Sequence, residues 1–246
     1  MRCTKPIAAG EQLLNTYGNP PNSDLLRRYG FVDEPNRGDL VELPAAMVVE
    51  AAASRLGVSR ESLDARFEWA VTELGVDDAF LLARLSKPRS EPPFGSSLEL
   101  EGRLDSAKKR ALAKAVAEIP EELVSFARLL CANEAAWDKA KKRGALPNPR
   151  IDAVDSAEDG KSVAIADVIA GAVRARLAQY PSTIADASTA LYNGSPSEHI
   201  RMALVVRIGD LVILGEHLAV CDAVIQHGSA KRSGEQDDES SKKARK

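Results

Sequence analysis

From about residue 43 onward the apolar residues recur at three- and four-residue intervals, in runs broken by Gly and Pro. No other feature constrains the fold as much, because such spacing buries one stripe of a helix and leaves a strand with apolar groups on both faces. In "SRESLDARFEWAVTELG", Leu63, Phe67, Ala70, Val71 and Leu74 line one helical face. Ser59 is placed as N-cap, but Ser62 stands where a capping box needs Glu or Gln. "PAAMVVEAAASRLGV" starts with Pro44 in a first turn and ends near Gly57. In the 104–142 region, "IPEELVSFARLLC" is opened by Pro120 and two acids, where the helix dipole favours them. Two long amphipathic stretches, about 161–180 and about 199–225, are predicted to pack antiparallel. Only 4% of the residues are aromatic while 44% are apolar, mostly Ala, Leu and Val, a balance that favours helix over sheet. The fold class expected is mainly α, a helical bundle-like domain, and no internal period supports a solenoid.

Residues 1–40 read differently. "KPIAAGEQLLNTYG" offers a short strand at 13–17, "GNPPN" is dense in turn formers, and Asn22 or Ser23 can cap a helix running to Tyr29. Leu25, Leu26 and Tyr29 fall on one side of that helix. Further on, "DDAFLLARL" and "SSLELEG" are predicted to pair as a small hairpin across the Pro-rich "SKPRSEPPFG". From residue 228 the chain turns polar and charged, and it is expected to form a disordered tail.

A net charge of −3 argues against a whole-molecule grip on nucleic acid, so no direct nucleic-acid partner is expected. Cys3, Cys131 and Cys221 have no metal or redox spacing and read as buried or incidental thiols, and no metal site is expected. No run of about 18 apolar residues points to a membrane span. His199 and His217, 18 residues apart, are too distant on one helix to share a metal and read as surface or partly buried residues. Trp69 and Trp137 read as core. The basic runs "DSAKKRALAK" and "WDKAKKR" read as solvated helix faces before docking surfaces.

"IAAGEQLLNTYG" followed by "LLRRYGFV" resembles the last motif of SET-domain protein lysine methyltransferases of the Rubisco large-subunit methyltransferase type, a subgroup that includes fungal ribosomal-protein lysine methyltransferases. The rest of the chain is similar to that subgroup's helical C-terminal substrate-binding domain, including the "SEHIRMALVVRIGDLVILGEHL" helix. The resemblance implies three parts. Residues 1–40 would be a β/turn/helix remnant of a SET domain, 43–226 the helical substrate-binding domain, and 228–246 the tail. It also implies that Tyr17, in "NTYG", is the catalytic tyrosine, and that Tyr29 and Phe31, in "YGF", wall the channel entered by the target lysine.

The family's reaction moves a methyl group in line from the sulfonium of S-adenosylmethionine to an amine, so alignment and exclusion of water carry most of the catalysis. The lysine must be neutral, against an unperturbed pKa of about 10.4, and aromatic walls favour the neutral amine while a tyrosine hydroxyl accepts its hydrogen bond. The family's Gly-containing cofactor loop and Asn-His motif are absent from this sequence, so the chain is expected to start inside a SET domain, to bind S-adenosylmethionine poorly and to be inactive as it stands. The implied partner is a protein substrate, ribosomal or chromatin-associated. The alternative is a non-catalytic helical interaction module. Lys231-Arg232 and the closing "KKARK" are spaced as a bipartite import signal, which gives a nuclear import receptor as partner and the nucleus as location, with the cytoplasm open as a second.

Overall fold

The computed structural model describes residues 5–13, 15, 17–85, 106–151 and 159–243. They are mainly helical. In chain order the elements are α1 (Asn22–Tyr29), β1 (Leu40–Pro44), α2 (Ala45–Leu56), α3 (Arg60–Leu74), β2 (Ala79–Ala83), α4 (Ser106–Val116), α5 (Glu121–Leu130), α6 (Glu134–Arg143), α7 (Asp159–Leu177), α8 (Ile184–Tyr192) and α9 (Glu198–Lys243).

The helix boundaries follow local chemistry. Ser59 caps α3 by accepting from the Ser62 amide, as its position predicts, and Gly57 and Gly75 end α2 and α3 in the left-handed region. Pro120 precedes α5, with Glu121 and Glu122 in its first turn. Three details differ from expectation. Pro44 ends β1 and caps α2 from outside, because residues 40–44 alternate in and out and pair as a strand. Pro21, and neither Asn22 nor Ser23, is the N-cap of α1. The strand expected at 13–17 does not form among its described residues.

β1 and β2 pair antiparallel, Leu40 opposite Ala83 and Pro44 opposite Ala79. Val41, Leu43, Phe80 and Leu82 face inward, while Leu81 on the outer face is exposed. The "AFLLA" strand finds its partner in β1, across two helices, and "SSLELEG" lies outside the described residues. A strand with one apolar face takes whichever edge covers that face, and sequence proximity does not decide it.

At the centre lies α7, whose Ile165, Ala166, Val168, Ile169, Ala170, Ala172 and Val173 are all buried; it is apolar nearly all round because α2 and α9 flank it. Gly171 carries no side chain because the Arg55 guanidinium lies across it: a Cβ there would sit 2.6 Å from Nη1. Arg55 passes over this notch to pair with Asp167 at 3.1 Å. Arg174 of α7 pairs with Asp222 of α9, and Tyr180 just beyond α7 reaches back to Asp210, so the two helices run antiparallel as expected. The same core takes in Phe126 and Leu130 of α5 and Ile213, Leu214, Val220 and Cys221 of α9. Each such fully buried aliphatic side chain contributes about 1.5–3 kcal/mol. A smaller cluster joins Ala187 and Leu191 of α8 to Leu204 and Val205 of α9, with Val32 packed on it. α8 was not anticipated from the sequence; a capping box between Thr183 and Asp186 starts it.

α9 also continues to Lys243, past residue 228, where composition predicts a disordered tail. Extending an existing helix needs no new nucleus.

Candidate functional site

Tyr17, Tyr29 and Phe31 come together. Tyr29 is the last residue of α1, Gly30 ends that helix at φ 76° with its amide on the Leu26 carbonyl, and the turn brings Phe31 back beside Tyr29. Tyr17 lies across from them. Ring centroids are 4.3 Å apart for Tyr17 and Tyr29, 5.6 Å for Tyr17 and Phe31, and 6.4 Å for Tyr29 and Phe31, all in tilted geometry. The rings are open to solvent, at 57%, 48% and 38% exposure respectively.

A polar frame holds this segment in place. Asn22 is buried; its amide donates to Asp39 Oδ1 at 2.7 Å, and its side chain accepts from the Asp33 amide at 2.8 Å and donates to the Asp33 carbonyl at 2.9 Å. Asn36 Nδ2 donates to the Pro20 carbonyl at 2.9 Å. Gly38 lies so close to Asn19 that a Cβ would meet its carbonyl oxygen at 2.4 Å. Outward, Glu34 accepts from the Tyr192 hydroxyl at 3.0 Å and from Arg201 at 3.3 Å, fastening the segment to α8 and α9. Leu25 plugs the base of α1.

Where this segment meets α9, two carboxylates approach each other. Asp39 Oδ2 sits 3.1 Å from where a Cβ on Gly209 would be, and Asp210 is the next residue. Burial pushes both up: Asp39 in direction, Asp210 to about 6, with the charge of Asp39 adding to the rise. The Tyr180 hydroxyl donates to Asp210 Oδ2 at 3.0 Å, and burial together with Asp210 pushes that phenol up to about 12. Nearby, Arg84 grips the buried Glu216 carboxylate, which also accepts from the Leu85 amide at 3.1 Å and so ties the end of β2 to α9.

His217 corrects the sequence reading. It is fully buried, its Nδ1 paired with the Ile213 carbonyl at 3.0 Å and its Nε2 without a partner, and burial holds its pKa below the usual imidazole value. His199 is exposed. Trp69 and Trp137 stack edge to face at 5.0 Å. Cys131 and Cys221 are free thiols pushed up to about 12 by burial, while Cys3 lies outside the described residues. No cluster of His, Cys, Asp or Glu among the described residues could hold a metal, and no described helix is long and apolar enough to cross a membrane. A cavity of about 230 Å³ between α4 and α5 is lined by Val116, Ile119, Val124 and Ile151.

Arg66, Asn22, Asp39 and Glu216 escaped the sequence reading. Arg66 shares its face with Leu63 and Ala70, so only an arginine on an apolar stripe marked it. Asn22 read as a cap, and nothing local signalled its partner at Asp39.

Comparison with known proteins places the helical part. Residues 96–214 match the family model described as Rubisco LSMT substrate-binding. They span α4 to α8 and the start of α9, so this stretch is similar to a substrate-binding domain of that kind. The Saccharomyces cerevisiae protein named ribosomal lysine N-methyltransferase 4 is 38% identical to this chain over 65 residues, which is 26% of this chain and 13% of the yeast protein. The chain thus resembles lysine methyltransferases of the Rubisco large-subunit type, as the opening motifs led us to expect.

Proposed function

We propose that this chain supplies the protein-binding, lysine-receiving end of a protein-lysine N-methyltransferase, acting on a ribosomal or chromatin-associated protein. The match of residues 96–214 to a substrate-binding family carries the reading. The three-ring cluster supports it chemically. Tyr17, Tyr29 and Phe31 offer adjoining apolar faces for the aliphatic stem of a lysine, and a phenol hydroxyl can accept a hydrogen bond from a neutral amine and aim its lone pair. Tyr17 is given that orienting role, with Tyr29 and Phe31 setting the room around the amine.

The methyl donor of the family resembled is S-adenosylmethionine. The described residues fit the amine end of the reaction and do not fit the donor. The rings stand open to solvent, and Cβ positions on Gly10 and Gly18, the glycines flanking this stretch, would meet nothing within 4 Å, so the described residues form no backbone cradle there. Titration calorimetry of this chain with S-adenosylmethionine is accordingly expected to show no micromolar binding. The same openness favours the second reading, a non-catalytic helical module that holds its protein partner.

Tyr17→Phe separates the two readings when the chain is joined to a donor site. It removes the hydroxyl alone, and turnover is expected to fall about a hundredfold with little change in substrate KM. Equal turnover of variant and parent would remove the role assigned to Tyr17.

A further inference from the structure

α6 carries more positive charge than its own acids can use. Glu134 is committed to Arg66 at 3.0 Å, and Asp138 to Lys141 at 2.9 Å, which holds the Asp138 carboxyl below its usual range. Lys141 is engaged a second time, with its ammonium 4.9 Å from the centroid of the Trp137 ring. Lys139, Lys142 and Arg143 are exposed and form no ion pair among the described residues, although the charge of Lys142 also helps to lower the Asp138 carboxyl. They stand at i, i+3 and i+4, so they share one face of the helix. They are not consumed as caps either, because the Gly144 amide already donates to the Ala140 and Lys141 carbonyls. On a chain of net charge −3, this is a local cationic ridge opposite in sign to the whole. It lies inside the segment matched as substrate-binding.

We propose that Lys139, Lys142 and Arg143 form the contact surface for an acidic segment of the protein substrate. The inference rests on the reading of residues 96–214 as the part that holds substrate. A short row of carboxylates complements three cations on one helical face, and such exposed pairs act mainly on register, encounter rate and salt dependence. RNA fits less well. α6 exposes no aromatic ring on which a base could stack, because its one aromatic, Trp137, is buried.

The test uses the full chain and fluorescein-labelled octaglutamate, read by fluorescence anisotropy. The wild type is expected to bind at low salt and to weaken about tenfold by about 0.3 M salt. K139E/K142E/R143E, checked for an unchanged circular dichroism spectrum and melting temperature, is expected to lose at least about tenfold in affinity. K139R/K142R, which keeps the charges, should bind as the wild type does. Equal binding by the charge-reversed variant overturns the proposal, as does an absence of wild-type binding. Tighter binding of an oligouridylate of the same length than of octaglutamate also overturns it and assigns the ridge to RNA. The methyltransferase reading fails separately: equal turnover with Tyr17→Phe leaves the octaglutamate result untouched, and loss of peptide binding leaves the Tyr17 result untouched.

Discussion

Asp210 is the residue whose surroundings most clearly oppose its charge. It is half-buried on α9, Asp39 faces it from the segment before β1, and the partial compensation comes from the Tyr180 hydroxyl and from Arg176 of α7. Its folded-state pKa of about 6 lies above the ordinary 3.8, so the folded chain holds a proton more readily than the unfolded one. The associated stability is therefore fully present below about pH 4 and is lost as pH rises through about 6. Asp210→Asn keeps an acceptor for Tyr180 and carries no charge. It should stabilise the protein at pH 7 by about 1 kcal/mol, after allowance for solvent screening of a half-buried group, and have little effect at pH 4. Thermal unfolding at the two pH values checks this, and a variant that gains nothing at pH 7 would show that Arg176 already compensates the charge.

At the scale of elements, Arg66 shows how one helix finishes another. The last carbonyls of α5 have no partners within their own helix, and Arg66, fully buried on α3, donates through Nη1 to the carbonyls of Leu130 at 2.8 Å and Ala132 at 2.7 Å, with a longer bond to Leu129. Its Nη2 reaches Glu134 at the start of α6. A single guanidinium therefore joins α3, the end of α5 and the beginning of α6, and only its Nε lacks a partner. Arg66→Met fits the apolar stripe but takes the guanidinium donor from the Leu130 and Ala132 carbonyls, while Leu129 keeps the Ala132 amide at 3.1 Å. It is expected to cost about 3 kcal/mol in urea unfolding with an unchanged m-value. A loss below about 1 kcal/mol would mean that water replaces the guanidinium at the α5 terminus.

For the whole molecule, the question is how firmly residues 18–39 are attached to the helical part. The sequence reading makes 43–226 a helical domain separate from residues 1–40. The frame around Asn22, the Glu34 contacts to Tyr192 and Arg201, and Val32 on the α8–α9 cluster add a second attachment that composition does not reveal. Limited proteolysis is thus expected to remove residues before about 18 first and to spare 22–39 until the helical core itself opens. Mass spectrometry of the early fragments checks it, and early cleavage within 31–39 would show that these polar contacts are too exposed to hold the segment.

Much of this protein was written locally. Apolar spacing identified α3, α5, α7 and α9, and Ser59 and Gly57 marked ends that the structure keeps; the three rings of "NTYG" and "YGF", which do meet, were named only by the family resemblance. Helices are legible in this way because their hydrogen bonds and caps connect residues three or four apart. What only the tertiary structure decided involves partners far apart in the chain. β2 pairs with β1 because that edge covers Phe80 and Leu82; Arg66 closes a helix that begins more than fifty residues later; Asp39 faces Asp210 across the whole domain. No local pattern encodes such pairs, since each is fixed by where the packed core leaves a polar group that must find, or go without, a partner.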